Sequence, residues 1–528
     1  MHRDLANLQR SAKDMARWQK AQQQLMGGRH ASALASYEDL LKHFPGVAQL
    51  WFETGIAAAG ELDFDFASQS FHKAAELDPR DFSLLILIGQ QFHRLRRLDQ
   101  ARACFDRAVA IAPVSPVTRI NLAMWLEREG QLDEATACIE ASLAANPQDG
   151  QSRYFRAFLL HRQGRNTEAE TALHHLIKSD TKDPNTRVSS RHLLGVVLDK
   201  LGYYDEALRW LLEAKVLVRQ LHHPATLERD YDKMDQRRRD LLAALTPDTI
   251  KRWRDEGPAV ANHPQLAFLG GHPRTGTTLI EQILGAHPEI MAFDESEAFV
   301  QEIANPIAPV QSPKALTVGE LNVLSPAARA SMGQRYLKSL LREDSAAPGA
   351  KMLLDKNPSA TASLHLWLRI FPDLKVIIPL RDPRDVVLSC FFQNLSLTVA
   401  NVNFLSFERA ARHYADLTDV WLRLRELDGF SWIETRYENL VANLEHEGRR
   451  VTKFLGYDWH PNQANYRESA RGKFVFAPTY SDVRKPVHER AVGRWENYAA
   501  AMQPIQTRLG PYCRAFGYDS QKSTLATS

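Results

Sequence analysis

Residues Leu269 to Leu284 read LGGHPRTGTTLIEQIL. Gly271 and Gly276 give the G-x-x-x-x-G frame of a phosphate-binding loop, and Thr277 stands where a nucleotide hydrolase carries its lysine. The preceding QLAFLGG predicts a short buried strand, and the apolar Leu279, Ile280, Ile283 and Leu284 predict a helix after the loop. Strand, glycine loop and helix N-terminus together aim backbone N–H groups and the positive end of a helix dipole at one point. An anion belongs there, and a phosphate fits best. In a kinase or ATPase the loop lysine bridges the last two phosphates and the next hydroxyl holds magnesium. Here Arg274 lies inside the loop instead, and Thr275, Thr277 and Thr278 offer neutral donors. That set suits a terminal phosphate monoester better than a magnesium–triphosphate chain.

A second group of residues offers a second anion contact. In LKVIIPLRDPRDVVLSCFFQ, Lys375 to Leu380 predicts a buried strand with Arg381 at its C-terminal end, where open α/β sheets bind ligands, and a helix starting near Asp385. Ser389 follows Arg381 by eight residues, so a basic and a hydroxyl group can converge. Carboxylates come from MAFDESEAF, as Asp294, Glu295 and Glu297, and KMLLDKNPSA places Lys356 after a strand-like run. Asp355 in that run also imitates the carboxylate that holds magnesium in ATPases, which keeps an ATP-dependent kinase or ATPase open as one alternative, beside a repeat scaffold whose C-terminal domain is catalytically inactive.

Taken in order, these segments resemble the sulfotransferases that use 3′-phosphoadenosine 5′-phosphosulfate, and among them the tyrosylprotein sulfotransferases and bacterial repeat-fused relatives, over roughly residues 264 to 500. The resemblance implies an α/β P-loop-like domain with a parallel sheet and that nucleotide as donor, with no metal required. It implies that Arg274, Thr275, Gly276, Thr277 and Thr278 hold the 5′-phosphosulfate, and Arg381 and Ser389 the 3′-phosphate. RYENLV, with Tyr437, matches a segment near the 3′-phosphate, and SDVRKPVHERAVGRWENY matches a late closing loop in which Arg484, Lys485 and Arg494 would touch phosphates. It assigns Glu295 as general base, with Asp294 as competitor, and Lys356 to the oxygen bridging phosphorus and sulfur. Burial of the base would help by raising its pKa. Two positions depart from the tyrosylprotein pattern. Glu297, Phe299 and Gln301 occupy the region of expected arginines, and Gly493 replaces a serine, leaving a backbone N–H as the donor there. The acceptor is a hydroxyl on a protein, a carbohydrate or a small molecule, with protein tyrosine among the candidates.

The N-terminal half is built differently. Ala33, Ala67, Ala101, Ala135 and Ala169 recur every 34 residues, and Pro45, Pro79, Pro113 and Pro147 keep the same period. Small residues such as Gly89 and Ala101 let paired helices approach, aromatic residues such as Phe92 and Phe105 fill the groove between them, and the proline ends the pair. This resembles the tetratricopeptide repeat. Six copies are predicted; the last contains Gly195 and Ala207 and is displaced by about four residues inserted around SDTKDPN. The first copy lacks a clear first-helix motif. The resemblance implies an all-α solenoid that recruits a peptide or protein.

The 528 residues exceed one ordinary core. The chain divides into a repeat array over 15–216, a charged helical linker over 217–262, the sulfotransferase-like domain over 263–518 and a disordered tail over 519–528. A net charge of +3, from 66 basic and 63 acidic residues, gives no overall pull toward nucleic acid or membrane. Four scattered cysteines predict free buried thiols rather than a metal site, and no long apolar run predicts a signal peptide or membrane span, so the expected location is the cytoplasm.

Overall fold

The computed structural model describes residues 2–61, 63–95, 97–179, 181–261, 263–308, 314–343, 351–470 and 488–519. Contacts divide the chain into two units, Met1–Leu217 and Val218–Ser528. Arg484 and Lys485, and residues 520–528 of the expected tail, lie outside the described residues.

The first unit is a run of antiparallel helix pairs. The pair that lacked a motif is supplied by Ala12–Met26, capped by Ser11, against His30–His43. The next pairs are Ala48–Gly60 with Phe64–Leu77, and Phe82–Arg94 with Leu98–Ile111, repeating through Tyr204–His222. The periodic alanines Ala33, Ala67, Ala101, Ala135, Ala169 and Ala207 are fully buried. Size explains them. A Cβ on Gly55 would lie 2.5 Å from the Phe71 ring, one on Gly89 3.0 Å from Phe105, and one on Gly195 2.6 Å from Leu211. Helices end two residues before Pro45, Pro79, Pro113 and Pro147, as proline's restriction of its predecessor requires. The four extra residues of the last copy are not a loop insertion. Its first helix, Pro184–Leu201, is 18 residues long against 13 for Gly150–Arg162, and the addition is one helical turn ahead of Gly195, started by the Asp183 cap.

The second unit is α/β. A five-stranded parallel sheet has the order β2-β3-β1-β4-β5, with β1 Gln265–Leu269, β2 Ile290–Asp294, β3 Met352–Lys356, β4 Lys375–Leu380 and β5 Ser431–Arg436. The apolar runs predicted for β1 and β4 are buried on both faces, as parallel strands demand. On one face Ile280, Ile283 and Leu284 pack on Ala267, Leu269, Met352, Leu354 and Ile377. On the other Phe268 meets Trp367, which stacks on Phe299 at 4.1 Å between ring centroids.

The segment read as a linker is part of this unit. In the helices Ala225–Ala244 and Pro247–Asp255, Tyr231, Leu241, Leu242, Ile250 and Trp253 are buried. Tyr231 Oη donates to Asp416 (3.0 Å), Arg423 to the Leu245 carbonyl (2.7 Å) and Trp253 Nε1 to Asn322 (2.8 Å). Charge density hid an apolar stripe that the α/β unit covers. Among the described residues no helix is long and apolar enough to cross a membrane. Cys104, Cys390 and Cys513 are buried and Cys138 half-buried, all as free thiols.

Candidate active site

The functional side chains collect at the C-terminal ends of the parallel strands. The chain leaves β3 on one side of β1 for β4 on the other, and such a reversal opens a crevice above the sheet. The 270–276 loop rises from β1 at that crevice, Asp294 ends β2, Lys356 ends β3 and Arg381 follows β4.

The loop is held by its carbonyl groups. Gly271 O accepts from Thr361 Oγ1 (2.9 Å), His272 O from Thr275 Oγ1 (2.7 Å), Pro273 O from His272 Nδ1 (2.7 Å) and Arg274 O from an Arg381 guanidinium nitrogen (3.1 Å). Gly276 O accepts from the amides of Leu279 (3.0 Å) and Ile280 (3.2 Å), starting the helix Thr277–Leu284. In a trans peptide the N–H points opposite to the C=O, so tying the Gly271, Pro273 and Gly276 carbonyls into the protein turns the N–H groups of His272, Arg274 and Thr277 the other way, whereas Pro273 has no N–H and the Thr275 N–H is taken up by His272 O at 3.3 Å. The hydroxyl of Thr275, expected as an anion donor, is used inside the loop. Thr277 and Thr278 occupy the first turn of the helix, where backbone N–H groups have no acceptor within the helix.

Two glycines meet needs that no other residue would. Gly271 has φ +90° and its missing Cβ would sit 2.9 Å from Pro379 O; Gly276 has φ +92° and would meet the Tyr437 ring at 2.6 Å. Tyr437 thus lies against the loop, with the Arg381 guanidinium 4.8 Å from its ring centre. Arg274 Nε donates to Ser389 Oγ at 3.0 Å, so the two predicted anion sites are joined through Arg274 rather than by a direct Arg381–Ser389 contact. Arg381 is 7% exposed, bonds the Arg274 and Ala491 carbonyls, and keeps a buried Nε without a hydrogen-bond partner. A buried, unsatisfied guanidinium N–H at this position suits a phosphate oxygen.

Lys356 is fully buried and its Nζ contacts Asp294 Oδ1 and, at 2.9 Å, Glu295 Oε1. Burial alone would lower its pKa, but the charges of Asp294, Glu295 and Glu281 outweigh it and hold the ammonium above its ordinary value. Glu281 was not anticipated: it is 2% exposed on the helix after the loop, and in sequence it looks like the polar gap of an amphipathic helix. Asp294 is 11% exposed and Glu295 48%, so the burial expected for the base falls on Asp294. Glu295 instead has φ +54°, and Arg274 has φ +76°. These are two of four non-glycine residues with positive φ among the described residues, and each such conformation costs about 1–3 kcal/mol.

Asp355 lies elsewhere. Strand alternation sends it to the face opposite Lys356, where it accepts from Tyr336 Oη at 2.9 Å, away from the loop. The predicted helix near Asp385 begins at Pro383, with the Asp382 side chain capping the Arg384 amide. Asp385 is buried and accepts the amides of Gly493 and Trp495, both at 2.8 Å. Burial, opposed by the Arg381 charge and these N–H bonds, pushes its pKa up to about 6. The Gly493 N–H, expected as a donor to the transferring group, is therefore committed to Asp385. Arg494 stacks on Phe392 at 4.1 Å.

Both units are similar to known proteins. The sulfotransferase family model matches residues 265–461, and tetratricopeptide repeat models match 19–63, 60–116, 126–187 and 187–224. An uncharacterized protein of Aquifex aeolicus is 28% identical over 334 residues, 61% of this chain and 41% of that protein, so the match spans less than half of its length. Protein-tyrosine sulfotransferase 2 of Gallus gallus is 26% identical over 271 residues (48% of this chain, 71% of the relative), and protein-tyrosine sulfotransferase 1 of Danio rerio 26% over 302 (53% and 82%). Among solved structures, the sulfotransferase domain of a Synechococcus olefin synthase is 21% identical, with a TM-score of 0.37, covering 49% of this chain and 97% of that one. The chain combines tetratricopeptide repeats with a sulfotransferase-family domain that resembles the protein-tyrosine sulfotransferases.

Proposed function

We propose that the second unit transfers the sulfuryl group of 3′-phosphoadenosine 5′-phosphosulfate to an acceptor hydroxyl. The observation that carries this reading is the buried ammonium of Lys356 set between Asp294 and Glu295 at the strand ends, beside a lysine-free glycine loop. The donor nucleotide supplies an activated sulfuryl group. The loop amides, Thr277, Thr278 and Arg274 hold its 5′-phosphate, and Arg381, with its unpartnered Nε, and Ser389 hold its 3′-phosphate. Arg494, stacked on Phe392, is proposed to touch a phosphate as well. Arg484 and Lys485 are proposed as further phosphate contacts. Lys356 offsets the charge that grows on the leaving phosphate oxygen as the S–O bond breaks.

Glu295 takes the acceptor proton, because it combines exposure toward solvent with direct contact to Lys356. Asp294, more buried, orients the lysine. The repeat unit is proposed to recruit a protein or peptide acceptor or partner, in the cytoplasm, with protein tyrosine the first acceptor to try.

Glu295→Gln tests the assignment: transfer of labelled sulfur from the donor into lysate macromolecules should fall about 10²–10⁴-fold, with binding of 3′,5′-adenosine bisphosphate unchanged. Normal transfer would remove Glu295 from the chemistry and leave Asp294 as base.

A further inference from the structure

A buried imidazole pair, with one ring on the loop and the other on a distant helix, is not used by the transfer chemistry. His272 and His413 are each 4% exposed, and His272 Nε2 lies 2.9 Å from His413 Nδ1. His413 comes from the helix Phe407–Leu427 and is walled by Tyr231 and Phe404, with ring centres at 5.6 and 5.3 Å. Tyr231 is itself fixed by Asp416.

The proton positions follow from the partners. Pro273 O can only accept, so His272 Nδ1 carries hydrogen. Burial drops the His272 pKa to about 4 and that of His413 well below its ordinary value, so both rings are neutral near pH 7. His272 Nε2 is then a lone pair, and His413 Nδ1–H must be the donor to it. One neutral tautomer on each ring satisfies both contacts.

We propose that His413 is a positioning residue for the anion loop: by donating to His272 it fixes the tautomer in which His272 holds the Pro273 carbonyl. That carbonyl belongs to the peptide plane leading into Arg274, whose φ of +76° is unfavourable for a side-chain-bearing residue. Holding the C=O inward turns the Arg274 N–H to the opposite side, where the loop amides gather. The reverse His272 tautomer would set a lone pair against the carbonyl and release that plane. The consequence for donor binding rests on the reading of the site given above; the tautomer and the plane do not.

Imidazole nitrogen spectra of histidine-labelled protein test the first step. Both His272 and His413 should show the Nδ1–H form, and the Arg274 backbone amide signal should shift in His413→Phe but not in His413→Asn, which keeps an amide donor near the Nδ1 position. His272 found as Nε2–H, or an Arg274 amide indifferent to His413→Phe, overturns the proposal. Calorimetry with 3′,5′-adenosine bisphosphate tests the second step: binding should weaken about tenfold in His413→Phe, the scale of one lost buried hydrogen bond, and stay within about threefold in His413→Asn. Affinities that follow the melting temperatures of the two variants would mean that His413 only packs. Wild-type protein that shows the expected spectra yet fails to bind the nucleotide would sink the sulfotransferase reading and leave the positioning role standing.

Discussion

The two units bury different kinds of residue, and the difference separates what holds the chain together from what it does. In the repeat unit the recurring buried positions are small or aromatic: Gly55 exists so that Phe71 can fit, and Gly89 so that Phe105 can. In the sulfotransferase-family unit the buried positions around the strand ends include ionic and polar groups: Lys356, Asp385, Arg381, His272 and His413 are all buried. Burying such groups is unfavourable unless every partner is in place, and here the partners converge from separate elements. The first pattern contributes stability through packing. The second adds two strained residues, Arg274 and Glu295, where a phosphate donor and an acceptor would meet.

This contrast can be broken, and the largest effect is expected in the packing unit. Phe71→Ala should lower the stability of the repeat unit by about 3–5 kcal/mol in denaturant unfolding, while binding of 3′,5′-adenosine bisphosphate stays at its original affinity. Loss of nucleotide binding in that variant would tie the two patterns together. Lys356→Met should act in the opposite sense, cutting turnover about 10²–10³-fold; turnover close to wild type would leave the buried ion pairs as mere structure. Arg381→Ala, which removes charge-assisted hydrogen bonds, should weaken nucleotide binding about tenfold to a hundredfold with the smaller effect on turnover at saturation.

The smallest effect concerns pH. Asp385 has a folded-state pKa raised from 3.8 to about 6, so the folded protein holds more protons than the unfolded chain between those values. Its contribution to stability is fully present below pH 3.8 and is lost as pH rises through about 6. Asp385→Asn should flatten this part of the curve of melting temperature against pH; an unchanged slope would show that Asp385 titrates alike in both states.

What the sequence shows follows from how local each signal is. The strand–loop–helix of Leu269 to Leu284, the strands around Lys356 and Arg381, and the 34-residue repeat are written in consecutive residues, and the structure contains them. Local helix rules place the extra turn at Pro184 only once the Asp183 cap is seen. His413, Tyr231 and Asp385 were missed as partners because their contacts span 141, 185 and about 110 residues, beyond any spacing rule. Glu281 was hidden by its apolar neighbours, and the helices Ala225–Ala244 and Pro247–Asp255 by their surface charge. Acceptor identity is carried by pocket walls, and these are not periodic.

The central claim is that a glycine loop without its lysine serves a phosphosulfate donor rather than a triphosphate. Calorimetric titration of the wild-type protein, in a chelator and without added metal, measures this directly. Saturable one-to-one binding of 3′,5′-adenosine bisphosphate is expected, sharply weakened in Arg381→Ala. No binding of that nucleotide, together with magnesium-dependent hydrolysis of ATP by the same sample, would contradict it.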